Sequence, residues 1–347
     1  MSDAHLIIGG DVWKGWEGVT ITSSIEQASN TFKLKLTDQW PGSGGTRPIA
    51  PGVACHVEVG GTAVVTGFID DATEEFAADR HELTVRGRDA AGDLVDCSAI
   101  HKSGEWKNAK LEEIAADLCK PFNITVTART STGKAFESFR IQEGETVFET
   151  IERACRQRAL LVKSDGVGGL VIVSGKGVEN SNGALKLGEN GNVLNLRAEA
   201  SVRERFSKYT VKGQNIGAGF MEAEEIAGDE ASVQDGTVTR HRPLIVLAEE
   251  PGDGPTFEER ARWEQRVRAG RAKRMTATVQ GWLDWMKQPW RPGDLVPCDF
   301  PRYTGDMLIT QVQFTKGENG TTSAIELAAP GALDVLAEVE QDGGLGW

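Results

Sequence analysis

No stretch of this 347-residue chain comes near the ~20 consecutive apolar residues that span a bilayer, so no integral membrane association is expected. The first residues, MSDAHLIIGGDVWKG, lack a basic segment followed by a long apolar one. That reads as the absence of a signal peptide, with synthesis and folding in a cytoplasm. Cysteines are few: Cys55, Cys97, Cys119, Cys155 and Cys298 are widely spaced, and none forms a C-x-x-C pair. A disulfide framework and a zinc knuckle are both disfavoured, and each Cys reads as a small buried hydrophobe. The five histidines are equally scattered, so no metal site is expected. The Gly-rich pieces Gly42–Thr46 and Gly166–Gly169 lack the Lys-Ser/Thr of a P-loop and read as loop and turn. No cofactor is expected. Positive charge is also short, with 38 Lys and Arg against 51 Asp and Glu, a net of −13. Non-specific DNA affinity comes mainly from neutralising phosphates, so such a chain binds DNA poorly. The same charge suits a surface that DNA must pass without sticking.

What the chain does contain is β grammar. Val19 and Ile21 alternate with threonines, and Phe32, Leu34 and Leu36 alternate with Lys33 and Lys35. Val53 to Val59 alternates again up to the hairpin turn Gly60-Gly61, and Thr62 to Ile69 returns. The reading is mainly β with an α+β insert: two similar β-barrel domains, a small α+β domain and an inserted helix. Residues 1–98 form the first barrel and 99–175 the α+β domain. Residues 176–215 and 275–347 form the second barrel, and 216–274 an inserted region. Within the α+β domain, Asn108 is expected to cap a helix carrying Leu111, Ile114 and Leu118. Thr146 with Glu149 makes a capping box for a second helix. Leu160–Val162 and Leu170–Val173 read as a hairpin. Residues 176–192, rich in Gly and Asn, read as a linker, and the tail EVEQDGGLGW as flexible. Thr256 with Glu259 is a further capping box, opening a helix with acids first and arginines last.

The most informative feature is a unit that occurs twice. Pro51-Gly52-Val53-Ala54-Cys55, Val64–Ile69 and Glu82–Ala90 are matched by Pro292–Cys298, Met307–Val312 and Ile325–Leu333. Each copy runs as a turn, a strand, a strand crossing back, and a strand ending in small residues. Two similar β units per chain are what a ring needs if three chains must present six equivalent positions. That points to architecture rather than catalysis.

The most visible charge cluster is Arg260–Arg274. It reads either as an anion contact or as a surface helix whose arginines pair with nearby acids. The acidic surroundings and the lack of interleaved aromatics favour the second. Trp263, Val267 and Gly270 form the stripe expected to face protein and are candidate subunit-interface residues. Nine tryptophans stand against two tyrosines. Trp282, Trp285 and Trp290 read either as a sugar-stacking surface or as core and interface anchors. The acid pairs Asp70-Asp71 and Glu74-Glu75 invite a glycosidase reading, but adjacent acids in a β-domain loop are commonplace. No catalytic residue is nominated. A wall-polysaccharide-binding module and a muralytic hydrolase stay open as alternatives.

Several segments, taken in order, carry a family resemblance. They are Gly18–Ile21 with Ser24–Phe32, Gly67–Asp70, Gly87-Arg88-Asp89 with Asp93–Ser98, Gln142–Thr146, Arg205–Tyr209, and Arg262-Trp263-Glu264 with Gly270-Arg271-Ala272. Together they resemble the baseplate hub protein of Mu-like contractile-tailed phages. The resemblance implies a structural homotrimer whose β domains form a pseudo-sixfold ring. Such a ring would join the tail tube protein to the central spike protein, contact other baseplate proteins, and let DNA pass without specific binding. It also implies a place in the virion tail baseplate and no catalytic residues. In such a ring the inner wall is expected to be acidic or neutral, with Asp70, Asp71, Glu74 and Glu75 as candidate channel-lining residues.

Overall fold

A computed structural model describes residues 3–38, 49–77, 81–174, 179–180, 183–213, 230–248, 257–301, 303–318, 320–330 and 332–333. The Gly42–Thr46 loop, the Thr256 cap, residues 217–229 and the C-terminal tail lie outside these. The first β unit holds β1 (Ala4–Ile8), β2 (Asp11–Trp13), β3 (Gly18–Ser24), β4 (Thr31–Asp38), β5 (Ala54–Val59), β6 (Thr62–Phe76) and β7 (His81–Asp89), closed by helix α1 (Ala91–Asp96). Alternation drives it: Val19, Ile21, Phe32, Leu34, Val57 and Val85 are buried, and their neighbours point away.

The α+β domain holds β8 (Glu105–Ala109), α2 (Leu111–Cys119), β9 (Thr125–Ala128), β10 (Phe136–Arg140), α3 (Val147–Gln157), β11 (Leu161–Ser164) and β12 (Gly169–Val173). It has its own core, in which Leu111 and Ile114 of α2 meet Ile151 of α3, Phe136 and Leu170. The expected capping box at Thr146 is present: its Oγ1 accepts from the Glu149 N–H at 3.2 Å, and the Glu149 carboxylate accepts from the Thr146 N–H at 2.8 Å. The cap expected at Asn108 is displaced. Asn108 sits inside β8 with φ 52, and α2 starts after Lys110, whose N–H the Glu113 carboxylate accepts at 2.8 Å.

Residues read as a linker hold two short strands, β13 (Glu179–Asn180) and β14 (Leu185–Lys186). Both pair in parallel with a later strand, and Leu185 is fully buried, which fixes the segment to the sheet. Next come β15 (Val193–Ala200), β16 (Lys208–Gly213), β17 (Glu230–Gln234), β18 (Pro243–Ala248) and α4 (Phe257–Arg271). The chain ends its described part with β19 (Lys273–Gln280), β20 (Asp294–Phe300), β21 (Tyr303–Gly317) and β22 (Gly320–Ala328). The strand expected at Phe206–Gly213 is not in the second β unit. As β16 it centres a separate sheet of order β17-β16-β18, against which α4 packs.

The architecture is mostly β with several sheets. Among the described residues none of them closes on itself. The two β units are joined edge to edge in one 14-stranded sheet, with the order β15-β19-β22-β21-β3-β4-β7-β6-β5-β1-β2 and with β20, carrying β13 and β14, branching from β21. They share one core, where Val19 and Phe32 of the first unit lie with Val312, Phe314 and Ile325 of the second. The two similar β domains expected are present, as open sheets that continue into one another rather than as closed barrels.

Candidate functional site

The repeat seen in the sequence is a repeat in topology. The first unit runs β3-β4-β7-β6-β5 across its sheet, and the second runs β15-β19-β22-β21-β20. Each has one 15-residue strand, β6 or β21, that turns through a bulge. The bulge falls between Ile69 and Asp71 in one and between Ile309 and Gln311 in the other. Gly52, with φ +80, donates its N–H to the Ile69 carbonyl at 2.7 Å, and Gly293, with φ +99, donates to that of Ile309 at 2.8 Å. Both turns need glycine because a side chain rarely takes that backbone conformation, which is why Pro-Gly was visible twice. The cysteines were a false match. Cys55 pairs across to Gly67 and Val296 to Met307, so Cys55 corresponds to Val296, and Cys298 lies two residues further on.

The long strands differ in one respect. On the side of β21 away from β22, Tyr303–Leu308 pairs with β20 and Gln311–Lys316 pairs with β3. On the same side of β6, Thr62–Phe68 pairs with β5. Residues 71–76 have no strand partner there among the described residues. At the other end of the run, β15 pairs with β19, and among the described residues its outer edge takes only a single bridge, from Val193 to Leu187.

The face of this sheet opposite the core is polar. Lys33 and Lys35 alternate with buried Phe32 and Leu34, and Thr20 and Thr22 with buried Val19 and Ile21. Bases and acids are interspersed there, and Lys35 meets Glu82 at 2.9 Å. The acid pairs Asp70-Asp71 and Glu74-Glu75 lie within strand β6 rather than in a loop; Glu74 and Glu75 point to opposite faces, whereas the bulge at Asp70 interrupts the alternation. Asp71 and Glu75 fall on the polar face. Glu74 falls on the core side, 3.5 Å from Nε2 of His81. Asp70, the bulge residue, is held by Arg88 at 2.8 Å, and Arg88 also reaches Asp96 at 2.6 Å. That hydrogen-bonded fork holds the Asp96 carboxyl below the usual range.

Of the stripe expected to face another subunit, Val267 and Gly270 are used inside the chain. Val267 is buried, and a Cβ at Gly270 would collide with Ala332. Trp263 is half-buried and borders a cavity of about 360 Å³ between α3, α4 and residues 25–28. The basic helix pairs with its own acids: Arg262 with Glu258 at 2.6 Å, and Arg268 with Glu264 at 2.9 Å. The three late tryptophans form no shared sugar platform, because Trp282 and Trp290 are in the core and only Trp285 is exposed. Four cysteines are buried, and desolvation pushes their thiols up to about 12. Cys97 departs from expectation and is exposed. Asp89 joins the two cores: its carboxylate accepts from the N–H of Asn30 (2.9 Å), the N–H of Ala91 (3.1 Å) and the hydroxyl of Ser164 (2.6 Å). The open strand edges were missed by sequence reading, although the unequal surroundings of two strands in one repeat were the available signal.

Known proteins share this arrangement. Residues 3–89 match the family described as Mu phage baseplate assembly protein GpP-like, N-terminal. Residues 91–174 match the second domain of baseplate hub protein gp44-like, and 255–336 the fourth domain of Mu phage GpP. Over 344 residues the chain is 35% identical to baseplate hub protein gp44 of Escherichia phage Mu, covering 96% of this chain and 89% of that one. The chain belongs to the Mu-type baseplate hub family. The hub fold recurs in the 43 kDa tail protein of prophage MuSo2 from Shewanella oneidensis, at 33% identity and TM-score 0.84, covering 96% of this chain and all of that one. It recurs again in a tail protein of Neisseria meningitidis MC58, at 22% identity and TM-score 0.78, with 96% and 98% covered. As a hub protein, the chain is a component of a Mu-like phage tail baseplate.

Proposed function

We propose that three copies of this hub form a ring that joins the tail tube protein to the central spike protein and passes DNA through its centre. The observation that carries this reading is the repeat: two β units with the same strand order, bulge and turn in each chain. Three such chains present six near-equivalent positions to a sixfold tube and three to a trimeric spike, and closed symmetry is the norm for soluble oligomers. The polar face of the 14-stranded sheet lines the channel in this reading, and Asp71 and Glu75 are among its acids. Duplex DNA carries one charge per ~1.7 Å, and a wall dominated by cations would hold it through many phosphate contacts. A face on which Lys33, Lys35 and Arg86 are interspersed with Asp71, Glu75 and Glu82 lets it slide.

The role is structural rather than enzymatic. Other baseplate proteins are expected partners, and assembly takes place in the host cytoplasm. Light scattering on the purified chain, alone or with spike protein, should give three times 37.4 kDa. A chain that stays monomeric and joins neither tube nor spike protein contradicts the reading.

A further inference from the structure

The cavity of about 360 Å³ opens where α3 of the α+β domain, the β3–β4 turn and α4 face one another. Its size is at the lower end of the ~300–1,000 Å³ typical of ligand pockets, enough for a few apolar side chains. Phe148, Leu160, Trp263 and Leu333 give it an apolar lining, and Arg156, Arg260 and Arg271 a cationic one. The two acids on the lining already have partners: Glu152 meets Arg156 at 3.4 Å, and Glu26 meets Arg274 at 3.3 Å. Arg260 stands over the Trp263 ring, 5.4 Å from its centre. The lining is therefore apolar with positive charge in excess, the complement of a segment that is both apolar and acidic.

The chain itself leads such a segment to the cavity. After β22 the Ala332 N–H donates to the Ala329 carbonyl at 3.0 Å. That turn lays Ala332 on α4, where a Cβ added at Gly270 would stand 2.7 Å from its Cα. Leu333 follows, 6% exposed, on the cavity lining. Next in sequence comes Asp334-Val335-Leu336-Ala337-Glu338-Val339-Glu340-Gln341-Asp342, and residues 334–347 hold four acids and no Lys or Arg. Three residues of chain span at most ~11 Å, so Val335 and Leu336 stay within reach of the place where Leu333 sits.

We infer that residues 334–342 seat in this cavity of their own chain, with Val335 and Leu336 against Phe148, Leu160 and Trp263, and with the acids towards Arg156, Arg260 and Arg271. The inference goes beyond the ring reading and does not need it. The short tether favours the chain's own tail over any other occupant, because it converts docking into an intramolecular step at an effective concentration on the order of millimolar. The seated segment is a strap. It fills the gap between α4 and α3 and so couples the helix inserted in the second β unit to the α+β domain. It also gives Trp263 the protein cover that Val267 and Gly270 already have within the chain.

The test is hydrogen exchange read by mass spectrometry on the full chain, with a synthetic peptide of residues 334–347 as the unprotected reference. Two variants are compared with the parent: Arg271→Glu, at an exposed position of the cavity rim, and Leu336→Asp, in the tail itself. The expected result is exchange of the 335–341 amides at least tenfold slower in the parent than in the peptide. Both variants should lose most of that protection, while the amides of α3 stay protected in all three proteins. No protection in the parent leaves the cavity to another molecule and overturns the inference. So does protection that survives both substitutions, which would place the segment elsewhere. Unfolding the two variants together in urea and refolding them as a mixture distinguishes a second copy. There the intact tail of one chain can enter the intact cavity of another, so recovered protection would assign the seat to a neighbouring copy and overturn seating within the chain; no recovery is expected.

Discussion

Asp89 gives the account a test that reaches both cores at once. Its side chain is almost wholly buried between the first β unit and β11 of the α+β domain. Desolvation pushes its carboxyl up from 3.8 to about 6, against the three hydrogen bonds from Ser164, Asn30 and Ala91 that favour the ionised form. A folded-state pKa above the unfolded value means the folded chain holds the proton more tightly. The stability this group contributes is complete below pH 3.8 and is lost as pH rises through about 6. The whole change is about 3 kcal/mol, of which about 2 kcal/mol falls between pH 4.5 and 7.5. Asp89→Asn removes the titration and loses one acceptor, a penalty that does not depend on pH. Carboxylates held low by partners, such as Glu145 beside Arg153 and Asp235 beside Arg205, tilt the absolute curve the other way, and they do so equally in both proteins. Urea unfolding of the pair at half-unit pH steps should therefore show the variant gaining about 2 kcal/mol relative to the parent from pH 4.5 to 7.5. A difference that is flat, or that falls with pH, refutes the reasoning about Asp89.

Two further outcomes follow from packing. Thr146→Ala removes one side of the α3 capping box and should lower stability by about 1 kcal/mol, read as a lower urea midpoint with unchanged slope. Gly87→Ala should cost about 3 kcal/mol, because an added Cβ overlaps the Phe68 carbonyl oxygen and the Phe32 ring; a midpoint equal to that of the parent would mean that β6 and β7 cross differently.

What was legible in the sequence was local or repeated. The α3 cap needs only Thr146 and Glu149, three residues apart, and the β11–β12 hairpin only a turn between two apolar runs. The doubled Pro-Gly turn is visible because backbone geometry demands glycine at Gly52 and Gly293 alike. What was not legible was long-range. The pairing of β21 with β3 joins residues almost the whole chain apart, and nothing in either strand's alternation names its partner. The same blindness placed β16 in the wrong sheet: Lys208–Gly213 alternates well enough for any sheet, and only its pairing with β17 and β18 decides. Val267 and Gly270, read as part of a stripe facing another subunit, pack within their own chain. The acids of β6 were read as loop because charge outweighed a period of two. Their charges survive in a strand because Asp71 and Glu75 lie on the polar face, and residues 71–76 have no second strand partner among the described residues.

The central claim is a threefold ring of six β units with a charge-mixed lumen, and electron cryo-microscopy of the assembled chain, with spike protein present if it is needed, tests it most directly. The account predicts three chains around one axis, six β units in near-sixfold arrangement, and a lumen face bearing Lys33, Lys35 and Arg86 among at least as many acids. A ring of another symmetry, β units that alternate in and out of the wall, or a lumen with a majority of Lys and Arg would contradict it.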